Sequence, residues 1–239
     1  MQPGLKRRLL DDAAAPYRAT GTFNYRWARS KLGHDPMFTA LIELAIFPDG
    51  ARVLDLGCGR GLLAAWFLAA ERLAAQGRWP DAVKPPRGLR FRGVDLMARE
   101  ADCGNRALQP LYGEQVRLSG GDMRRQDYRG SDVVAILDAL HYVAHAEQDR
   151  MLDEVRAALD PGGVLLTRIG DAGAGLRFAL SRACDLCVAF AQGHRHAGIW
   201  GRSLAEWIGA LESRGFTVQS VPMSAGTPFA NVMLIARVA

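Results

Sequence analysis

The chain has 239 residues, 49% of them hydrophobic, with a formal net charge of +5. That length suffices for one large α/β domain with its own core, and no uninterrupted apolar run reaches the roughly 18 residues of a membrane span. The excess positive charge is scattered arginine, with Lys6, Lys31 and Lys84 the only lysines; this is compositional bias rather than a surface built for nucleic acid.

At the start, Leu9-Leu10 is followed at once by Asp11-Asp12, which leaves no hydrophobic segment for a secretory signal. A cytoplasmic protein is expected. Residues 1–47 read as a helical extension carrying Tyr17, Phe23, Tyr25, Trp27 and Phe38 among basic residues. The first strand is expected over 52–56, where Val53, Leu54 and Leu56 form the short apolar run of a central parallel strand. Gly57, Gly59 and Gly61 follow, so bare backbone can approach a ligand. A helix over 62–76 comes next, and the turn therefore opens onto free N–H groups at a helix start.

Residues 77–89, with Pro80, Pro85 and Pro86, read as a surface insertion. Strand two is placed at 90–94 and ends in Asp95, whose carboxylate can accept ribose hydroxyl bonds as in other doubly wound nucleotide sites. A helix over 99–108, a short strand at 116–118 and a buried strand at 132–137 follow. The helix over 148–159 stops at Asp160-Pro161-Gly162-Gly163. Strand five covers 164–167. Ser203 can cap a helix over 204–214, which Gly215 breaks. Strands at 216–221 and 231–238 close the sheet. The alternation argues for an α/β fold whose strand ends share one edge.

Cys184-x-x-Cys187 with His194 and His196 has ligand types that zinc accepts. Residues 176–192 read as a helix that places both cysteines on one face as small buried hydrophobes, and no other feature of a zinc module surrounds them. No metal is expected.

A dinucleotide turn of the form G-x-G-x-x-G needs glycine at position 62, where this chain has Leu62. The pattern present, Asp55-x-Gly57-x-Gly59-x-Gly61 on a strand-to-helix turn, resembles the S-adenosylmethionine (SAM) loop of class I methyltransferases. The resemblance covers residues 50–170 and, through the two closing strands, the C-terminus. It implies a seven-stranded, mostly parallel, doubly wound sheet in a single domain over 1–239, with residues 1–47 and 171–200 as lid elements. It also implies SAM as cofactor, S-adenosylhomocysteine as product, and a cofactor site of Asp55, Gly57, Cys58, Gly59, Gly61, Asp95, Leu96, Asp122, Met123 and Asp138. In that site Asp55 meets the ammonium, Asp95 the ribose, and Asp122 with the Met123 N–H the adenine.

Strand four runs out into Asp138-Ala139-Leu140-His141-Tyr142. The [Asp/Asn]-Pro-Pro-[Tyr/Phe] motif of base- and amide-directed enzymes is absent there, so DNA is excluded as the acceptor. His141 is the candidate catalytic base for a phenol or enol, since His is readily poised to take a proton near neutral pH. A contact to SAM or packing under a lid is the alternative. Tyr25, Arg26, Tyr142, Arg168 and Trp200 are the acceptor-pocket candidates. The run over 17–40 resembles methyltransferases that accompany bacterial aryl-polyene or polyketide-type assembly lines, which implies a phenolic or carrier-bound aryl acceptor. An RNA methyltransferase, a non-catalytic SAM-binding partner protein, and a homodimer of this chain remain open on sequence.

Overall fold

A computed structural model describes residues 1–80, 82–175, 198–224 and 229–239. The chain divides into two compact units, Met1–Gln126 and Asp127–Ala239. Among the described residues, seven strands belong to one sheet in the order β3-β2-β1-β4-β5-β7-β6.

The N-terminal unit begins with α1 (Pro3–Ala14), whose buried Leu5, Leu9 and Ala13 repeat every four residues along one face. A 3₁₀ turn (Ala15–Thr20) leads to α2 (Thr22–His34) and α3 (Pro36–Glu43). At α3, Asp35 caps the helix by accepting the Met37 N–H at 3.0 Å, and Pro36 occupies the first turn, where no N–H is needed. Strands β1 (Arg52–Leu56), β2 (Arg90–Asp95) and β3 (Val116–Gly120) pair in parallel. Helix α4 (Leu62–Ala75) is buried on every side through its first nine residues, as an all-apolar helix requires. Helix α5 (Ala98–Tyr112) lays Ala101, Gly104, Ala107 and Leu108 inward.

The C-terminal unit holds β4 (Val133–Leu137), α6 (His145–Ala158), β5 (Val164–Gly170), α7 (Leu204–Glu212), β6 (Phe216–Pro222) and β7 (Asn231–Val238). Strands β4 and β5 are parallel, while β7 runs antiparallel to both β5 and β6. Ser203 and Glu206 form a reciprocal capping box at the start of α7.

Differences from the sequence reading lie at element ends. Strand β5 continues to Gly170 because β7 pairs with it as far as Gly170↔Asn231. Strand β3 likewise reaches Gly120 opposite Asp95. Helix α5 runs past Leu108 to Tyr112 with Pro110 in its last turn, where the missing N–H costs only one bond. Helix α6 starts at His145, three residues earlier than the expected start at residue 148. The Cys184, Cys187, His194 and His196 set, with most of the 171–200 segment, lies outside the described residues. Among the described residues no group of three or more His, Cys, Asp or Glu could hold a metal ion, and no helix is long and apolar enough to cross a membrane.

Candidate active site

In the N-terminal unit the pairing register brings the ends of β1, β2 and β3 to one edge: Leu56 lies beside Val94, and Asp95 beside Gly120. The turn after β1 is fastened there by its own backbone. Gly57 and Cys58 both donate their N–H to the Val94 carbonyl, at 2.8 and 3.1 Å, and Gly61 closes the turn on the Cys58 carbonyl at 2.9 Å. Gly59 (φ +52°) and Gly61 (φ +74°) are left-handed, a conformation that disfavours a side chain. A Cβ on Gly59 would meet no atom within 4 Å, so the turn presents an open backbone face.

Asp95 organises this face. Its Oδ2 accepts the Gly59 N–H at 2.8 Å and its Oδ1 the Met97 N–H at 2.9 Å. A carboxylate has about four acceptor sites, so two remain for ligand hydroxyls. Leu96, the next residue, is 66% exposed, an apolar side chain set out beside a polar turn. Asp55 is buried, and burial first, then the charge of Asp95, pushes its carboxyl up to about 7. A neighbouring cation would favour its ionised form. The Cys58 thiol is buried and driven far up by the same desolvation, which makes it a packing group and not a nucleophile.

The Gly121 N–H donates to the Asp95 carbonyl at 2.9 Å, which brings the turn after β3 alongside. Asp122 caps that turn by accepting the Arg124 N–H at 2.9 Å. It also accepts the Arg124 guanidinium through both oxygens, and this pairing holds its carboxyl below the usual range. Met123 follows directly in the same turn. Asp55, Gly57, Cys58, Gly59, Gly61, Asp95, Leu96, Asp122 and Met123 are therefore neighbours in one unit.

Asp138, His141, Tyr142, Arg168 and Trp200 belong to the C-terminal unit. Asp138, just beyond β4, has φ +56°, unusual for a residue with a side chain. It is held there by Arg168 of β5, which is only 3% exposed. The Arg168 Nε donates to Oδ1 at 2.7 Å, Nη2 donates to Oδ2, and the Asp138 N–H donates to the Arg168 carbonyl at 3.3 Å. Arg168 is thus turned onto Asp138, a buried cation beside a half-exposed carboxylate.

A single 3₁₀ turn, Leu140–Tyr142, carries His141 and Tyr142, whose ring centres lie 4.2 Å apart with their planes tilted by 50°. The Trp200 N–H donates to the His141 carbonyl at 2.7 Å. The Trp200 ring meets the edge of His145 at 5.5 Å. Tyr142 and Trp200 are both exposed. A staple that the sequence reading does not name joins these segments: fully buried Gln148 shares the two N–H groups of its amide among the carbonyls of Leu140, Val143 and Trp200, which lie 2.9–3.0 Å from Nε2. The sequence signal for it was a glutamine on the apolar stripe with Met151, Leu152 and Val155.

Tyr25 and Arg26 fall elsewhere. The Tyr25 hydroxyl accepts from Arg18 at 3.1 Å, and the Arg18 guanidinium lies over its ring. Arg26 is exposed. Neither has a described contact with the glycine turn. The residues of α2 that do reach it are Phe23 and Trp27, which sequence reasoning left unassigned; both lie over Arg60.

Comparison with known proteins bears on this geometry. Residues 54–165 match the family described as methyltransferase domain. The chain is 30% identical over 118 residues to a carboxy-S-adenosyl-L-methionine synthase of Chromohalobacter salexigens, covering 49% of this chain and 39% of that protein. It is 25% identical over 197 residues to 3-amino-4-hydroxybenzoate 4-O-methyltransferase of Streptomyces cremeus, covering 82% and 48%. The chain thus spans under half the length of both curated relatives. A solved magnesium protoporphyrin IX methyltransferase from Synechocystis, with bound SAM, superposes at a TM-score of 0.60 with 16% identity, over 89% of this chain and 84% of that one.

Proposed function

We propose, from the premise that residues 54–165 are a methyltransferase domain, that the chain transfers a methyl group from SAM to an oxygen of a small aromatic acceptor. The observation that carries the cofactor half is Asp95: one carboxylate that fixes the open glycine turn and still has acceptor capacity beside exposed Leu96. The residues fit SAM. Asp95 takes the ribose hydroxyls, Leu96 lies against the adenine, and Asp55 faces the ammonium, whose charge favours loss of its proton. Asp122 and the Met123 N–H read the adenine edge, with Arg124 orienting the Asp122 carboxylate. The Asp138 carboxylate, held by Arg168, is a further acceptor for SAM's polar groups.

When bound, SAM supplies a methyl carbon already activated by its sulfonium. The chain's task is then to align the acceptor and remove its proton, and alignment alone is worth up to about 7–11 kcal/mol in favourable intramolecular systems. His141 takes the phenolic proton, and Tyr142 and Trp200 offer aromatic surface to an aryl acceptor. The Streptomyces relative, named for methylating a hydroxybenzoate, supports an oxygen on an aromatic ring as the target.

The test is titration of the purified chain with SAM and S-adenosylhomocysteine by calorimetry, followed by incubation with hydroxybenzoates and carrier-bound aryl thioesters. Binding of both nucleosides and release of S-adenosylhomocysteine with a methylated phenol are expected. Absence of nucleoside binding would sink the reading. The likeness to a carboxy-SAM synthase favours a second reading, in which SAM is itself the molecule modified. Mass spectrometry separates the two, since a carboxylated SAM derivative, without S-adenosylhomocysteine, would replace the first reading by the second.

A further inference from the structure

The N-terminal extension meets the glycine turn at Arg60, the residue between the left-handed Gly59 and Gly61. Its carbonyl accepts the hydroxyl of Tyr17 at 2.7 Å. Tyr17 is fully buried, and desolvation holds its phenol protonated, so it is a committed donor. The same carbonyl presses on α5, where a Cβ on Gly104 would lie 2.6 Å from it. The Arg60 side chain is held as firmly. Its Nε donates to Glu100 Oε2 at 2.6 Å. The guanidinium lies 4.5 Å from the ring centre of Trp27 and 5.8 Å from that of Phe23, one helical turn away on α2.

Glycines on either side of a residue leave its peptide free to rotate, and that freedom is lost when a ligand binds the turn. Restraining the peptide beforehand removes part of the cost. Here the Gly61 N–H of that peptide is held by the Cys58 carbonyl within the turn, and its carbonyl end is held by a hydroxyl more than forty residues away in sequence. We propose that Tyr17 is a cofactor-positioning residue: its hydroxyl fixes the Arg60 peptide so that the glycine turn is set to receive SAM. On this view the N-terminal extension is a working part of the cofactor site and not only a cover for the acceptor. The proposal rests on the SAM reading above.

The experiment compares full-length wild type, Tyr17→Phe, Gly104→Ala and Tyr112→Phe by SAM calorimetry and thermal melting. Phenylalanine keeps the ring's packing and deletes only the hydroxyl. The expected result for Tyr17→Phe is SAM affinity weakened roughly three- to tenfold, the scale of one net hydrogen bond. Tyr112→Phe is the control, because its buried hydroxyl has no hydrogen-bond partner among the described residues; its affinity should match wild type. Gly104→Ala should also weaken SAM by displacing the Arg60 carbonyl, although alanine ordinarily favours a helix. It carries the test should Tyr17→Phe fail to fold. Wild-type affinity in a folded Tyr17→Phe overturns the proposal alone, whereas a wild-type chain that binds no SAM overturns the cofactor reading and this inference with it.

Discussion

The glycine turn of the N-terminal unit and the 138–142 turn of the C-terminal unit hold their polar groups by opposite means. In the first, backbone does most of the holding: Gly57, Cys58 and Gly61 donate to nearby carbonyls, and side chains add only the Asp95 carboxylate on Gly59 and the Tyr17 hydroxyl on Arg60. In the second, side chains do the holding. Arg168 grips a left-handed Asp138, and Gln148 ties the His141 turn to Trp200. A backbone-held turn writes itself into sequence as glycines at fixed spacing. A turn held by side chains leaves only scattered polar residues whose partners are set by the fold.

The comparison breaks hardest at His141. If it is the base, His141→Ala should lower turnover of a phenolic acceptor by about 10²–10⁴-fold, the usual worth of a positioned general base. SAM affinity should stay at its wild-type value, since the glycine turn keeps its own bonds. Turnover by S-adenosylhomocysteine release, set against calorimetric affinity, checks both halves. Unchanged turnover would leave His141 as one side of the ring contact with Tyr142.

Asp95→Ala should do the reverse. Removing a carboxylate that accepts two backbone N–H groups, and on this reading the ribose as well, should cost SAM affinity about ten- to hundredfold. At saturating SAM the turnover should be largely retained. If affinity is unchanged, Asp95 merely braces the turn.

This asymmetry explains what was legible in the sequence. The positions of the strands along the chain and the glycine turn could be read because apolar runs and glycine spacing are local consequences of buried parallel strands and of a close backbone approach. Asp95 was legible as the acid ending β2. Arg60 and Tyr17 were not, because the bond between them crosses more than forty residues and nothing local to either announces it. The sequence does not say which face of α2 meets the loop; Phe23 and Trp27, four apart, share that face.

A smaller effect sharpens the picture of the first region. Asp55 binds its proton more tightly in the fold, at about 7, than in the unfolded chain, where an ordinary aspartate titrates near 3.8. The folded state therefore loses stability from this group as pH rises from about 4 to about 7, and the loss is complete above that. An arriving ammonium reverses the preference, so SAM affinity should rise about tenfold between pH 6 and pH 8. Asp55→Asn should flatten that profile, bind SAM more weakly at pH 8 and melt at a higher temperature there without ligand. A steep affinity profile surviving in Asp55→Asn would assign the titration to another group.

The smallest change is expected at the staple of the second region. Gln148→Met keeps the volume and deletes the donors to Leu140, Val143 and Trp200. Leaving those carbonyls without this partner should cost about 1–3 kcal/mol before compensation. Part is offset, because the Gln148 Oε1 is itself buried without a hydrogen-bond partner among the described residues and methionine removes that acceptor. The net loss in thermal stability should therefore fall at the low end, with SAM affinity unchanged. Turnover should decline more than stability does, since the lost bonds position the segments carrying His141 and Trp200 and contribute little to the core. A variant that melts earlier yet turns over at the wild-type rate would make Gln148 a brace for α6 alone, and would also weaken the assignment of His141 to chemistry that depends on its placement.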